Sequence, residues 1–211
     1  MSTMNSYKKS TFPFFESICV FDGNILYPTQ HEVRYKRTYI NTYGKKPMRP
    51  LLEKDCLPLS FPKGKLKLKI AYNAVNKICE FAPYDYRPIQ RLQCVEAPYL
   101  NYKHKYTDRK ALDTLLQYQG KADDVLILQD GWVRDSSYTN ICFWDGIKWF
   151  TPATPLLEGT VRQRLLDEKK IFAVPIHTND FQNYTGFKLI NALRSFEQES
   201  LIRIQNILLP V

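Results

Sequence analysis

The chain has no run of apolar residues long enough to cross a bilayer, which takes about 18 to 20 of them. Its polar opening, MSTMNSYKKS, also lacks the apolar core of a secretory signal. Both absences argue against membrane insertion and secretion, so we expect a cytoplasmic protein without a membrane partner.

Cysteine is scarce, and its spacing fits neither a disulfide framework nor a metal site. The five cysteines are Cys19, Cys56, Cys79, Cys94 and Cys142. They form no CxxC pair, and an odd number cannot all be joined internally. We interpret them as reduced core residues and expect no bound metal.

Acidic residues are too few to balance the basic ones: 30 Lys and Arg stand against 21 Asp and Glu, which gives a formal charge of +9. Such a charge suits nucleic acid or small anionic ligands. The lysines are dispersed, however, and in residues 63–70 they alternate with apolar residues. That alternation is typical of a strand with one solvated and one buried face. We therefore expect no nucleic-acid partner.

The chain is long enough to bury a core, with 211 residues of which 44% are hydrophobic. Residues 1–102 predict a small α+β subdomain. Asp22-Gly23-Asn24 between apolar runs indicates a hairpin, and residues 31–43 predict a helix that ends at Gly44. A small antiparallel sheet is expected from strands at residues 65–72, 78–84 and 88–96.

Residues 103–211 predict a second subdomain, which is richer in strands. Helices are expected at residues 107–119 and 159–168. Short strands are expected at residues 125–128, 140–144, 147–150, 171–176, 187–191 and 201–209. The fold class is thus α+β, with two subdomains that meet near residues 100–106.

Three polar clusters are weak signals when each is taken alone. Gly159 precedes a helix whose first amides could bind phosphate, but most such junctions are only structural. Residues 130–140 resemble a polar loop in which Asp135 accepts hydrogen bonds from local amides. Lys103 and Lys105, in isolation, are typical solvated lysines.

The order of these clusters along the chain is far more specific. A lysine, a helix and a strand are followed by DGWVRD, SSYTN, a strand hairpin, TP and LEGTVR. This order resembles the class IV aminotransferase family of pyridoxal phosphate enzymes, whose usual wording is DGxVxE, a small-residue run ending in Asn, TP and LPGITR. HEVR at residues 31–34 likewise resembles the family's HxxR. The resemblance covers nearly the whole chain and implies the two-subdomain fold of type IV enzymes, an α/β sandwich followed by a β-rich subdomain.

The resemblance also implies a bound cofactor, pyridoxal 5'-phosphate, in a cleft between the subdomains. Lys105 corresponds to the lysine that holds the cofactor covalently, because Asp108-Arg109 follows it at the family's offset, and Lys103 is the rival. Burial beside other cations readily lowers the pKa of a lysine. Once the substrate has displaced it, the same amine can move protons at the substrate's α-carbon.

Further roles follow from the resemblance position by position. Asp135 takes the place of the glutamate that pairs with the pyridine nitrogen, although aspartate is one methylene shorter. Arg34 corresponds to the phosphate-binding arginine, and the helix-start amides of Thr160 and Val161 would meet the same phosphate. Asn140 matches the family asparagine that follows the acidic residue.

A second phosphate contact of the family comes from a turn worded NSL or GTA, which here reads Asn191-Ala192-Leu193. Ala192 can offer only its backbone N–H. The Asn191-Ala192-Leu193 sequence is nearer to the motif of the lyases than to that of the aminotransferases. Aminodeoxychorismate lyase, an enzyme of folate biosynthesis, is therefore our first choice. It converts 4-amino-4-deoxychorismate to 4-aminobenzoate and pyruvate.

Two alternatives remain open on the sequence. An aminotransferase for branched-chain or D-amino acids would share the same cofactor and proton transfers. A non-catalytic basic binding protein on the same fold would bind no cofactor. Either enzyme would take a small-molecule amino substrate, and the resemblance implies a homodimer.

Overall fold

The computed structural model describes residues 11–53, 57–58 and 60–209. Contacts between residues divide the chain into two units. Unit 1 comprises Met1–Asp85 and His104–Asp108, and unit 2 comprises Tyr86–Lys103 and Arg109–Val211. The sequence predicts a boundary at residues 102–103, whereas this division falls at Asp85, and the chain returns to unit 1 for five residues.

Unit 1 is built on a four-stranded antiparallel sheet in the order β2-β1-β3-β4. The strands are β1 (Phe14–Phe21), β2 (Asn24–Ile25), β3 (Lys65–Tyr72) and β4 (Lys77–Pro83). Asp22 and Gly23 both have positive φ, 46° and 84°, as a tight hairpin turn requires. The predicted hairpin and the predicted strands at residues 65–72 and 78–84 are therefore confirmed.

The helix of unit 1 is α1 (Pro28–Tyr43). It begins three residues earlier than predicted, because proline suits the first helical position. It ends as predicted at Gly44, which has φ 67° and whose N–H donates to the Ile40 carbonyl at 2.9 Å. Tyr35 and Tyr39 of α1 belong to one core with residues of β1 and β3, so the helix covers one face of the sheet.

The other face of the sheet carries the lysines of β3. Lys65 and Lys69 are half-buried and Lys67 is exposed, whereas Leu66, Leu68 and Ile70 between them are buried. The predicted strand with one solvated and one buried face is confirmed.

Residues 104–108 extend the unit 1 sheet beside β1. The N–H of Phe15 donates to the Lys105 carbonyl at 3.0 Å, and the N–H of Thr107 donates to the Pro13 carbonyl at 2.8 Å. Phe14 and Tyr106 form an antiparallel bridge between these bonds. The backbone of Lys105 is thus held against the first strand.

Unit 2 contains two sheets. The first has the order β13-β5-β6-β7, and the second has the order β10-β9-β8-β11-β12. Their strands are β5 (Leu92–Glu96), β6 (Asp124–Gln129), β7 (Trp132–Ser136), β8 (Asn140–Trp144), β9 (Trp149–Pro152), β10 (Phe172–Val174), β11 (Gly186–Ile190), β12 (Ile202–Arg203) and β13 (Ile207–Leu208). Buried residues from both sheets share one core, among them Leu126, Leu128, Phe143 and Phe187.

The helices of unit 2 are short. Helix α2 (Lys110–Leu115) continues into a 3-10 turn at Leu116–Tyr118, where one helix was predicted over residues 107–119. Helix α3 (Thr160–Asp167) agrees with its prediction. Within residues 11–53, 57–58 and 60–209, no helix is both long and apolar enough to cross a membrane.

Three strand predictions need correction. The strand near residues 88–96 was assigned to the antiparallel sheet, but β5 runs parallel to β6 in unit 2; parallel pairing follows a long crossover that local sequence does not reveal. Residues 132–136, interpreted as part of a loop, form β7, and Asp130 and Gly131 make the turn before it with φ 53° and 75°. The single strand predicted at residues 201–209 is interrupted by a 3-10 turn at Ile204–Asn206.

Free thiols are found at Cys19, Cys94 and Cys142. Cys19, Cys94 and Cys142 are buried and Cys79 is half-buried. The prediction of reduced core cysteines is confirmed for the first three, and Cys56 lies outside the described residues.

Candidate active site

A buried charged cluster lies between β1 and α1 in unit 1, with Glu16 at its centre. Glu16 is 0% exposed. Arg34 donates from Nε to Oε1 at 2.8 Å and from Nη2 to Oε2. His31 Nδ1 lies 2.7 Å from the same Oε2. Because His31 and Arg34 are three positions apart on α1, both side chains reach the carboxylate from one helix face.

The charges in this cluster determine its protonation. Burial alone would raise the pKa of Glu16, but the positive charge of Arg34 and the hydrogen bonds from His31 and Arg34 lower it to about 2. Burial lowers the pKa of His31 despite the neighbouring carboxylate. Glu16 is therefore ionised and His31 neutral at pH 7, so the His31 proton lies on Nδ1, which donates to Glu16.

Glu16 is a site residue that the sequence interpretation missed. Arg34, the predicted phosphate ligand, is 6% exposed and is paired with this carboxylate. A signal was present in the sequence, because Glu16 alternates with Phe14 and Ile18 on the buried face of β1. A charged residue at an inward position requires a partner.

Lys105 lies in the same unit. It is half-buried, and its Nζ is 4.9 Å from the centre of the Phe15 ring, which Lys69 also contacts at 5.3 Å. Burial is the main cause of the lowered pKa of His31, and the positive charges of Arg34 and Lys105 lower it further. Lys105 is therefore close enough to the cluster to interact with it electrostatically. The rival Lys103 is exposed and belongs to unit 2.

The central residue of unit 2 is Asp135, near the end of β7. It is 4% exposed. Its Oδ1 accepts a hydrogen bond from Asn140 Nδ2 at 2.7 Å, and its Oδ2 accepts one from the Leu157 N–H at 2.9 Å. Burial raises the pKa of Asp135 to about 7, although these hydrogen bonds and the charge of Arg162 oppose the rise. All of the direct donors on this carboxyl group are neutral.

Asn140 connects Asp135 to the segment before α3. Its Nδ2 also donates to the Leu157 carbonyl at 2.8 Å. A Cβ added to Gly159 would lie 1.9 Å from Asn140 Oδ1. The backbone of Gly159 is ordinary, with φ −71° and ψ 147°, so glycine is required here by the Asn140 side chain rather than by conformation.

Helix α3 begins directly after Gly159, which provides no side-chain cap. Thr160 and Val161 lie in its first turn, and both are buried. The first amides of a helix have no intrahelical partner and lie at its positive end. This helix start is therefore suited to an anion, and the phosphate-binding role of Thr160 and Val161 stays a prediction.

The loop between Asp135 and Asn140 is held by two residues to which the sequence interpretation gave no role. Ser137 Oγ donates to Asp124 Oδ1 at 2.5 Å. Arg109 Nη2 donates to the Ser137 carbonyl at 2.8 Å, and its guanidinium lies 4.4 Å from the centre of the Tyr138 ring. Asp124 and Arg109 thus hold this loop from two sides.

Ala192 lies in a tight turn after β11. The N–H of Asn191 donates to the Arg194 carbonyl at 3.1 Å, and the reverse bond measures 3.0 Å. Arg194 itself is buried and paired with Glu199 at 3.2 Å. The predicted site residues of unit 2 thus fall into the Asp135 network, the helix start and this turn.

Comparison with known proteins decides the family. The family model described as "Amino-transferase class IV" matches residues 13–197. The chain belongs to this family. An uncharacterised protein of Haemophilus influenzae is 35% identical over 184 residues, which cover 86% of this chain and 98% of the relative.

Solved structures of the family have the same fold. A protein of Haemophilus somnus, provisionally named 4-amino-4-deoxychorismate lyase, is 30% identical with a TM-score of 0.78, over 88% of this chain and 98% of that one. A hypothetical aminotransferase of Mycobacterium tuberculosis in its PLP-bound form has a TM-score of 0.70 at 14% identity, over 91% and 80%. The latter likeness concerns the fold alone.

Family membership confirms four predictions: the class IV resemblance, the α+β fold, an enzymatic function and pyridoxal phosphate as cofactor. The residues present fit that cofactor. Asp135 is a buried carboxyl group with neutral donors, which suits a protonated ring nitrogen. The start of α3 suits a phosphate, and Lys105 provides a half-buried amine.

Proposed function

We propose that this enzyme is a 4-amino-4-deoxychorismate lyase, which releases 4-aminobenzoate and pyruvate. The observation that carries the proposal is the likeness to the Haemophilus somnus protein of that provisional name, at 30% identity over 98% of its length. The Asn191-Ala192-Leu193 turn, which is nearer to the lyase wording, supports the same choice.

In this proposal Lys105 has two roles. Its Nζ would hold the cofactor covalently, and once free it would take the proton from the carbon that carries the substrate's amine. When bound, the cofactor supplies a ring that accepts the electron pair left by that proton. Phe15 and the backbone bonds to β1 keep Lys105 in place.

The remaining residues bind and orient. Asp135 would accept a hydrogen bond from a protonated ring nitrogen, and Asn140, which donates to Asp135 Oδ1, would keep the carboxyl group in its orientation. Arg34 would bind the phosphate, the amides of Thr160 and Val161 would also donate to it, and the N–H of Ala192 would add a further donor. We also propose, from the family resemblance, a homodimer that acts in the cytoplasm.

The second candidate is an aminotransferase for branched-chain or D-amino acids, which the description of the matching family favours. Both activities need the residues above. They differ in their requirement for a second substrate, because a transferase leaves the amino group on the cofactor and needs a 2-oxo acid to regenerate it.

The two candidates can be separated by product analysis. Purified protein saturated with pyridoxal phosphate is incubated with 4-amino-4-deoxychorismate without any 2-oxo acid. We expect equimolar 4-aminobenzoate, measured by its fluorescence, and pyruvate, measured with lactate dehydrogenase. Turnover only with an amino acid and 2-oxoglutarate together would reject the lyase in favour of the transferase.

The covalent role of Lys105 has its own test. Borohydride reduction followed by peptide mass spectrometry should place the pyridoxyl group on Lys105 in the wild-type protein and in Lys103→Ala. It should place none in Lys105→Ala. A pyridoxyl group on Lys103 would show that the rival lysine holds the cofactor.

A further inference from the structure

We propose that Glu16 is a positioning residue, which fixes the guanidinium of Arg34 in the orientation that binds the cofactor's phosphate. The inference rests on the proposed role of Arg34 and adds to it a residue outside the family's motifs quoted above. Its basis is the geometry of the buried cluster in unit 1.

Two parallel hydrogen bonds determine the plane of the guanidinium. Nε and Nη2 of Arg34 donate to the two oxygens of Glu16, and such a bidentate pair fixes direction as well as distance. It uses two of the five N–H donors of an arginine. In this proposal the phosphate meets the guanidinium on a side that faces away from the carboxylate.

Glu16 is itself held in place. His31 Nδ1 donates to Oε2, the oxygen that also receives Nη2. Glu16 lies in β1, where Ile70 of β3 is paired with it on one side and the bond from the Phe15 N–H to the Lys105 carbonyl fixes the adjacent backbone. Rotation of the Glu16 side chain would break three hydrogen bonds at once, so Arg34 is held through a rigid partner.

The pairing also neutralises a buried cation. Arg34 is 6% exposed, and an uncompensated charge at that depth is costly. With Glu16 ionised, the pair carries no net charge before the phosphate arrives. Recognition of the phosphate therefore depends on the direction of the Arg34 donors more than on an excess of positive charge.

A purely structural ion pair makes a different prediction from a positioning pair. Loss of general stability would weaken the binding of every form of the cofactor to the same degree. Loss of Arg34 orientation would weaken only the forms that carry a phosphate. Pyridoxal, which has the same ring and aldehyde without the phosphate, distinguishes these cases.

The test measures dissociation constants for pyridoxal phosphate and for pyridoxal by absorption titration of the cofactor-free protein. In Glu16→Gln the amide retains one acceptor oxygen, and its NH2 group faces an Arg34 donor. We expect the preference for pyridoxal phosphate over pyridoxal to fall about tenfold, the value of one charge-assisted hydrogen bond. The affinity for pyridoxal itself should remain within about twofold, since the altered contact does not involve the ring.

Glu32→Gln is the matched control, because Glu32 lies on the same helix and pairs with Lys36 instead. Its preference should equal that of the wild type. If Glu16→Gln does not fold, as judged by circular dichroism, Glu16→Asp replaces it: the charge remains but the carboxylate is one methylene too short, so the preference should again fall.

Two results would overturn the inference. Equal weakening of both ligands in the folded Glu16 variants would make Glu16 purely structural, and tighter binding of pyridoxal phosphate would show that its charge opposes the phosphate. A wild-type protein without any preference for the phosphate form would instead reject the proposed role of Arg34.

Discussion

Two buried carboxyl groups, one in each unit, have opposite protonation behaviour. Glu16 is 0% exposed and Asp135 is 4% exposed. Burial raises the pKa of both. Yet the pKa of Glu16 falls to about 2, whereas that of Asp135 rises to about 7. Depth in the protein therefore does not decide the charge of either group.

The hydrogen-bond partners of each carboxyl group decide whether it is charged. Burial is the largest single effect on Glu16, but the charge of Arg34, its two hydrogen bonds and the hydrogen bond from His31 together outweigh it and stabilise the ionised form. Asp135 receives its direct bonds from an amide side chain and a backbone N–H, and Arg162 acts on it only through space. Glu16 thus has its cation already, whereas the Asn140 and Leu157 donors of Asp135 are neutral, which agrees with its proposed role as partner of a ring nitrogen.

Removal of Glu16, whose charge is balanced by Arg34, should have the largest effect on stability. Glu16→Ala leaves Arg34 buried without its counter-ion, and we expect a loss of about 3 to 5 kcal/mol in the free energy of unfolding. Urea denaturation monitored by tryptophan fluorescence measures it. Glu80→Ala, at an exposed position of β4, should change stability by less than about 0.5 kcal/mol. A loss below about 1 kcal/mol in Glu16→Ala would mean that the pair contributes little.

Asp135, whose direct hydrogen-bond donors are neutral, should make the stability of the protein depend on pH. Asp135 has a folded pKa above its usual 3.8, so between about pH 4 and 7 the folded state binds more protons than the unfolded one. Its contribution to unfolding free energy is then complete below pH 4 and is lost as the pH rises through 7. The shift corresponds to about 4 kcal/mol. Glu16 has the opposite sign: its contribution is present above pH 4.5 and is lost as the pH falls towards 2.

The comparison of Asp135→Asn with the wild type isolates the pH-dependent contribution of Asp135 to stability. In the cofactor-free protein, the difference in unfolding free energy between the two should shift in favour of the variant by up to about 4 kcal/mol from pH 4 to pH 7.5. Parallel pH profiles for wild type and Asp135→Asn would show that Asp135 is already ionised in the folded state.

Local signals in the sequence predicted most of unit 1 and less of unit 2. The Asp22-Gly23 turn and strand β3 need only neighbouring residues for their recognition, and both are where the sequence indicates. The pairing of β5 with β6 joins residues 32 positions apart in the chain, for example Leu92 with Asp124. No local pattern encodes such a pairing, so the sequence interpretation placed β5 in the wrong sheet.

The site shows the same limit. Lys105, Asp135 and Asn140 could be named because their motifs follow one another in family order. The inward position of Glu16 on β1 indicates only that it needs a partner; the partners themselves could not be named, since they lie 15 and 18 residues away on another element. The glycine of LEGTVR could be recognised as a motif, but its reason, the Asn140 side chain, is visible only in three dimensions.

The contribution of the Asn140 donor to stability can be tested by a substitution at Gly159, which contacts the Asn140 side chain. In Gly159→Ala the new Cβ would displace Asn140 Oδ1, and Asp135 would lose its best donor. We expect a loss of about 2 kcal/mol in unfolding free energy. Asn140→Ala should cost a similar amount, but Gly159→Ala in that background should cost almost nothing, because the obstacle is gone. Additive effects in this double-mutant cycle would show that the two residues act independently.

The smallest effect on stability is expected from substitution of His31, the neutral donor to Glu16 in unit 1. His31→Gln keeps a side chain that can donate to Glu16 Oε2, and Arg34 still balances the charge. We expect a loss of about 1 kcal/mol in urea denaturation at pH 7, the value of one hydrogen bond. A loss as large as that of Glu16→Ala would mean that His31, rather than Arg34, keeps the carboxylate ionised. The contrast between the two units would then depend on a proton that His31 carries, and not on the guanidinium.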